Sequence, residues 1–198
     1  MLCFLFLLPV YRYRAFGVRN IPRTGPLLLV SNHQSYLDPS LVGMGCSRRQ
    51  FAALARSTLF DNPVFAWIIR RLNAIPVTQG ETDVGAMRKC ISELKKGQAL
   101  LIFPEGSRTL TGEVEPFQTG TMLMIKRAKP TILPVAIEGA YNVWKRGGYP
   151  KFHGRIAVKY GEPIPAETII EMGPDKGLAF LRDTVAGMRE ELIARLRD

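Results

Sequence analysis

Leu27-Leu28-Leu29-Val30-Ser31-Asn32-His33-Gln34-Ser35-Tyr36-Leu37-Asp38-Pro39 carries three kinds of local chemistry in thirteen residues. Its first four residues are short and continuously apolar, the pattern of a strand buried on both faces. Ser31 to Leu37 is mostly polar and reads as a loop. Asp38-Pro39 reads as a helix start, with Asp38 as N-cap and Pro39 at the first helical position. Strand, loop and helix in that order form the unit of an α/β layer.

The unit recurs on both sides of this stretch. Ile21-Pro22-Arg23-Thr24-Gly25-Pro26 is turn chemistry. Residues 51–54, 74–77, 99–103, 132–137 and 156–160 read as further strands. Asn62-Pro63 opens a helix carrying Phe65, Trp67, Ile68 and Ile69 and ending in Arg70-Arg71. Val84, Met87, Ile91 and Leu94 recur at helical spacing before Lys95-Lys96-Gly97. Residues 120–128 read as a helix, and Leu178, Leu181, Val185, Met188, Leu192 and Leu196 mark a terminal one. Alternating strands and helices predict a single α/β domain over 18–198, with a mixed, largely parallel sheet flanked by helices. In such sheets sites gather beyond the carboxyl ends of strands. The loop holding His33 and the loop beginning at Pro104 both follow predicted strands, so the spacing predicts a shared edge.

Composition narrows the partners. Twenty-seven Lys plus Arg against 17 Asp plus Glu give a net charge of +10. The excess points to an anionic partner such as a phospholipid surface or a phosphorylated substrate. No zinc-type Cys/His spacing and no basic tract with interleaved aromatics appears, so neither a metal site nor nucleic-acid binding is expected. Cys3, Cys46 and Cys90 are scattered and odd in number, which fits buried thiols in a reducing compartment. Leu2 to Val10 is apolar and is followed by Tyr11-Arg12-Tyr13-Arg14. It is far shorter than the roughly 20 residues of a spanning helix. Residues 1–17 are therefore read as an interfacial membrane-associating segment, with a buried element of the core as the alternative. The helix around 60–72, with Trp67, Arg70 and Arg71, is a second candidate membrane contact. A core-packed helix with a solvated basic end is the alternative.

The chemistry-bearing residues fall in the two loops. His33 and Asp38 are five residues apart, and the only other histidine is His153. A histidine is suited to removing a hydroxyl proton, and a carboxylate can fix its tautomer. An Asp-Pro helix start and a loop histidine bonded to backbone explain the same residues without catalysis. Phe103-Pro104-Glu105-Gly106-Ser107-Arg108-Thr109 adds a carboxylate, a glycine, two hydroxyls and an arginine. Arg108 has the geometry to clamp a phosphate, Gly106 permits close backbone approach, and Ser107 and Thr109 can donate to phosphate oxygens. Glu105 can pair with Arg108 or bind a substrate hydroxyl. A turn with a surface salt bridge is the bland alternative.

Asn32-His33-Gln34-Ser35-Tyr36-Leu37-Asp38 and Phe103-Pro104-Glu105-Gly106-Ser107-Arg108-Thr109 resemble the first and third motifs of the glycerolipid acyltransferase family, which includes the 1-acylglycerol-3-phosphate acyltransferases. Ala74-Ile75-Pro76-Val77 is similar to its second motif and Ile132-Leu133-Pro134-Val135 to its fourth, in the family's order. The resemblance covers roughly Val18 to Pro165. It implies transfer of a fatty acyl group from acyl-CoA or acyl-carrier protein to a lysophospholipid hydroxyl, without metal or cofactor, at the cytoplasmic face of a membrane. It implies His33 as general base, Asp38 as its partner, and Glu105, Gly106 and Arg108 in the acceptor site. Two positions depart from the family pattern. Gln79 stands where the second motif usually ends in arginine, and Gln118 where lysine often follows the Pro-Phe pair. Both remove positive charge, with Arg88 and Lys126 as possible substitutes. Lysophosphatidate remains the leading acceptor. Another lysolipid acceptor, a hydrolase using the same base on water, and a noncatalytic lipid-surface protein of the same fold are the alternatives.

Overall fold

Leu27–Ser31 forms the strand on which the architecture is built, and its side chains divide between two cores. In the computed structural model, which describes residues 9–46, 49–61, 63, 66–67, 74–77 and 84–197, the strands are β1 (Arg14–Phe16), β2 (Leu27–Ser31), β3 (Ala52–Arg56), β4 (Ala74–Val77), β5 (Ala99–Ile102), β6 (Thr131–Glu138) and β7 (Ala157–Tyr160). They form one sheet in the order β1-β7-β6-β2-β5-β3-β4. From β6 across to β4 every pairing is parallel; β7 runs antiparallel to β6, and β1 parallel to β7. The mixed, largely parallel sheet expected from the sequence is what forms.

Successive residues of a strand point to opposite faces. Leu28 and Val30 accordingly join the core on one face, and Leu27 and Leu29 the core on the other. All four are fully buried, each contributing on the order of 2 kcal/mol. On the Leu28 face lie α2 (Val84–Lys95), α3 (Gly120–Ala128), α5 (Ala166–Met172) and α6 (Pro174–Arg197). On the Leu27 face lie α1 (Asp38–Gly45) and α4 (Ala140–Trp144). In α2 the buried line is Ala86, Cys90 and Leu94, with Met87 and Ile91 packed beside it. Val84, expected on that line, is exposed at the helix start.

One strand and two α-helices among the described residues were not expected. β1, α4 and α5 are three, five and seven residues long, too short to show a period. β1 bears on the N-terminal segment. Residues 1–8 of the 1–17 stretch lie outside the described residues. Tyr11 is buried, its carbonyl accepts the Ile156 N–H, and Arg14–Phe16 pairs with Ala157–Lys159. Tyr13 also turns inward, and its hydroxyl donates to the Leu41 carbonyl at 2.8 Å. The tyrosines read as interfacial thus serve as packing residues for β7 and α1. Among the described residues no helix is long and apolar enough to cross a membrane. Arg70, Arg71 and Gln79 lie outside the described residues, while Trp67 is exposed.

Candidate active site

β2 sits between β5 and β6, all three parallel, with Val30 opposite both Ile102 and Pro134. The loops that follow β2 and β5 therefore leave the same edge from neighbouring strands. Beyond Ser31, the Asn32 side chain continues the ladder: its Nδ2 donates to the Ile137 carbonyl at 2.9 Å and its Oδ1 accepts the Ile137 N–H at 2.8 Å. The backbone is fixed on β6 immediately before His33.

His33 and Asp38 meet. Nδ1 of His33 lies 2.7 Å from Asp38 Oδ2. The same oxygen accepts the N–H groups of Gln34 at 2.6 Å and Ser35 at 2.8 Å. An oxygen that already accepts two backbone N–H groups is an acceptor toward the ring as well, so Nδ1 carries a hydrogen, and in the neutral imidazole the lone pair is on Nε2. Asp38 is completely buried, and its Oδ1 has no hydrogen-bond partner. Asp38 is not the N-cap the sequence suggested. It is the first residue of α1, Leu37 occupies the cap, and no side chain caps the helix. The carboxylate instead turns back over the loop and closes its five-residue span. The His33 ring stacks on Phe103, centroids 4.0 Å apart and planes 15° from parallel, which fixes its second degree of freedom.

The loop after β5 grips His33 through the backbone. Glu105 Oε1 accepts the His33 N–H at 2.7 Å, and the Thr109 N–H donates to the His33 carbonyl at 2.9 Å. Glu105 Oε2 accepts the Glu115 N–H at 3.3 Å. The Thr109 hydroxyl accepts the N–H groups of Thr111 and Gly112 at 3.3 and 3.1 Å. Glu105 and Thr109 thus hold the histidine loop rather than presenting their side chains outward. Gly106 adopts φ +74°, where a Cβ would lie 2.1 Å from the Gln118 amide nitrogen. The group that comes close to this glycine is Gln118, whose Nε2 donates to the Glu105 carbonyl at 3.3 Å. The glutamine standing where lysine is common is a strut of the loop. Ser107 is exposed at the loop tip. Arg108 sits over Tyr36, its Cζ 3.4 Å from the ring centroid, and its Nη1 is buried without a hydrogen-bond partner. Arg88 and Lys126 are exposed on α2 and α3.

Further anchors were invisible in the sequence because they are tertiary. Gln34 donates to Glu138 Oε2 at 3.3 Å and to the Gly112 carbonyl at 3.2 Å. Glu138 pairs with Arg189 of α6 at 2.7 Å, and Arg189 also reaches Glu113 at 2.7 Å. Burial pulls the Arg189 guanidinium down, but Glu138 and Glu113 outweigh it and hold it above its ordinary value. The Ser35 hydroxyl donates to the Trp144 carbonyl at 2.8 Å. The loop is tied to β6, α4 and α6 at once.

Glu105 carries an acid-base consequence. Burial, reinforced by the nearby Glu115 and Asp38 charges, pushes its carboxyl up to about 7 against the opposing pull of its two N–H donors. An acid raised in the folded state adds stability that is fully present below its ordinary value and is lost as pH rises through the folded one. Glu105→Gln removes that component. The difference in thermal midpoint, parent minus variant, is expected to fall as pH rises from about 5 to about 8. A pH-independent difference would dissociate Glu105 from the folded-state titration.

The sequence model of the family described as Acyltransferase matches residues 12–138. The chain belongs to the acyltransferase family. It is 27% identical over 161 residues to a chloroplastic 1-acyl-sn-glycerol-3-phosphate acyltransferase of Arabidopsis thaliana, covering 79% of this chain and 44% of that protein. A 1-acyl-sn-glycerol-3-phosphate acyltransferase of Streptococcus pneumoniae is 30% identical over 170 residues, covering 85% of this chain and 60% of its own. The chain spans about half the length of these curated relatives. The crystal structure of the 1-acyl-sn-glycerophosphate acyltransferase of Thermotoga maritima superposes with a TM-score of 0.80 at 28% identity, over 92% of this chain and 72% of that one. Both loops of the site fall inside the family match: His33 to Asp38 and Phe103 to Thr109 lie within residues 12–138.

Proposed function

We propose that this member of the family is an O-acyltransferase that moves a fatty acyl group from the thioester of acyl-CoA or acyl-carrier protein to the free hydroxyl of 1-acylglycerol-3-phosphate, giving phosphatidic acid. The observation that carries this reading is the His33 imidazole, held through Nδ1 by Asp38 at 2.7 Å, in a loop hydrogen-bonded to the one that bears Arg108. Nε2 takes the acceptor's hydroxyl proton as its oxygen attacks the thioester carbonyl. The tetrahedral intermediate collapses, the C–S bond breaks, and the thiolate recovers the proton from His33. Asp38 stabilises the imidazolium between those steps. The reaction as written draws on these side chains alone, without a metal or cofactor.

A direct transfer is favoured over an acyl-enzyme. Cys46 is buried in the protein and its thiol is pushed up to about 11 by that burial, against the nearby Arg49, so it is a poor nucleophile. Arg108 is assigned to the acceptor phosphate because a buried guanidinium nitrogen without a partner is costly until an anion reaches it. The role of Gln118 as a strut accounts for one of the two missing cations without changing the acceptor. The net charge of +10 suits work at an anionic membrane surface, which we place at the cytoplasmic face.

One assay tests the reading: thiol release from long-chain acyl-CoA and acyl-carrier protein, with and without a panel of lysolipids. Acceptor-dependent release is expected, strongest with 1-acylglycerol-3-phosphate. Acceptor-independent release would indicate a hydrolase, and no release with either donor a noncatalytic lipid-surface protein. Arg108→Ala is expected to raise KM for the phosphate-bearing acceptor by roughly 10- to 100-fold, the worth of a charge-assisted hydrogen bond, with a smaller effect on kcat. Equal losses on an acceptor lacking the phosphate would take Arg108 away from that role.

A further inference from the structure

Trp144 ends α4 beside the site. Its ring lies 4.9 Å from that of Tyr36, on which Arg108 rests, and its carbonyl receives the Ser35 hydroxyl. The chain then leaves the sheet edge and returns only at β7. This excursion, residues 145–155, reads Lys145-Arg146-Gly147-Gly148-Tyr149-Pro150-Lys151-Phe152-His153-Gly154-Arg155. It is a defined loop: the Gly148 N–H donates to the Lys145 carbonyl at 3.1 Å, the Lys151 N–H to the Val143 carbonyl at 2.9 Å, and the Trp144 indole to the Gly148 carbonyl at 3.1 Å.

What the loop displays is unusual for a surface facing only water. Tyr149 is 92% exposed and Phe152 is 73% exposed. They alternate with the exposed cations Lys145, Arg146, Lys151 and Arg155, and no carboxylate occurs between Glu138 and Glu162. Leu110, in the Arg108 loop, is also exposed, and its carbonyl accepts the Tyr141 hydroxyl of α4. At the foot of the loop a cleft of about 360 Å³ is lined by Lys151, His153, Arg155, Arg197 and, on one side, Glu138. Rigid aromatics set among cations with no acid are the composition of a surface that enters the headgroup layer of a bilayer: rings take the apolar boundary, lysine and arginine the phosphates.

We propose that loop 145–155 is the docking surface for an anionic phospholipid bilayer, and that it seats the mouth beside Tyr36 and Arg108 against the membrane. The charge is complementary to the lipid, and the surface is continuous with the candidate site through Trp144 and Tyr36. A lipid acceptor then passes from bilayer to His33 without crossing water. In sequence the loop is separate from residues 1–17 and 60–72, the stretches whose composition also suggested membrane contact. The account of why docking matters rests on the acyltransferase reading; the docking itself is measured without turnover.

The test uses the full chain and two double variants, Tyr149→Ser with Phe152→Ser, and Arg146→Gln with Lys151→Gln. All four side chains are exposed, and none belongs to the catalytic or acceptor-binding set. Partitioning is measured onto vesicles of phosphatidylcholine containing phosphatidylglycerol, with no acyl donor present. Each double variant is expected to bind about tenfold more weakly or worse, with an unchanged thermal midpoint and an unchanged rate on a short-chain acceptor kept monomeric. Unchanged partitioning of both variants overturns the proposal. So does an equal loss of rate on the monomeric acceptor, which would make the loop part of the site. A loss confined to reactions with acyl-carrier protein, with vesicle binding intact, overturns it in favour of an acidic protein partner. If the chain proves inactive but the variants still lose vesicle binding, the docking surface stands and the acyltransferase reading falls.

Discussion

Replacing His33 by alanine is expected to slow acyl transfer by about 10³-fold while leaving the protein folded. A positioned general base contributes roughly 10²–10⁴-fold. The anchors of the loop survive the change. The His33 N–H still meets Glu105, its carbonyl still receives Thr109, and Asp38 keeps the Gln34 and Ser35 N–H groups. What is lost is the ring, its stacking on Phe103 and one bond to Asp38. That is about 2 kcal/mol of stability or less, which a thermal midpoint will register as a modest drop. Because Arg108 is left in place, KM for a phosphate-bearing acceptor should move little, and the loss should appear in kcat. Activity within tenfold of the parent would remove His33 as the base. Loss of the folded state would show instead that the ring is needed to hold the loop.

The reason the loop survives explains what was legible in the sequence. Leu27 to Val30 announced a strand because burial on both faces leaves no polar positions, and burial on both faces is what the sheet provides. The neighbouring placement of the two motif loops followed from strands feeding one edge. Bonding partners did not follow. Glu105 reads as a partner for Arg108 or a substrate hydroxyl and Thr109 as a phosphate donor, yet the Glu105 carboxylate and the Thr109 N–H bond the His33 backbone, and the Thr109 hydroxyl bonds its own loop. Only the pairing of β2 with β5 brings that backbone within reach, and pairing is not written in either loop. Gln118 read as a missing cation because its amide's target, the turn at Gly106, is created by the fold. Asn32, Gln34 and Ser35 sit in the quoted motif, but each acts on a distant element: β6, Glu138 or α4. Tyr11 and Tyr13 were read from composition as interfacial, while their packing against β7 and α1 depends on a three-residue edge strand with no pattern of its own.

Asp38→Asn separates the charge of the carboxylate from its shape. Three donors point at Oδ2, the His33 ring and the Gln34 and Ser35 N–H groups, so the amide of asparagine has only one acceptable orientation: oxygen toward the donors. The opposite orientation sets an NH₂ against three hydrogens. The ring keeps its tautomer and Nε2 remains the base. A site whose amide turned toward the ring would lose about 10⁴-fold by fixing the wrong tautomer. Here the loss is limited to the negative charge that stabilises the imidazolium, expected at about 10²-fold in kcat, near 2.7 kcal/mol. The amide nitrogen must then occupy the buried place of Oδ1, where no partner waits, at a stability cost of roughly 1–3 kcal/mol. Asp38→Ala strands all three donors, so its thermal midpoint should fall below that of the asparagine variant and its activity should approach that of His33→Ala. If Asp38→Asn proves as inactive as His33→Ala with no change in stability, the amide has turned, and the three-donor account of Asp38 is wrong.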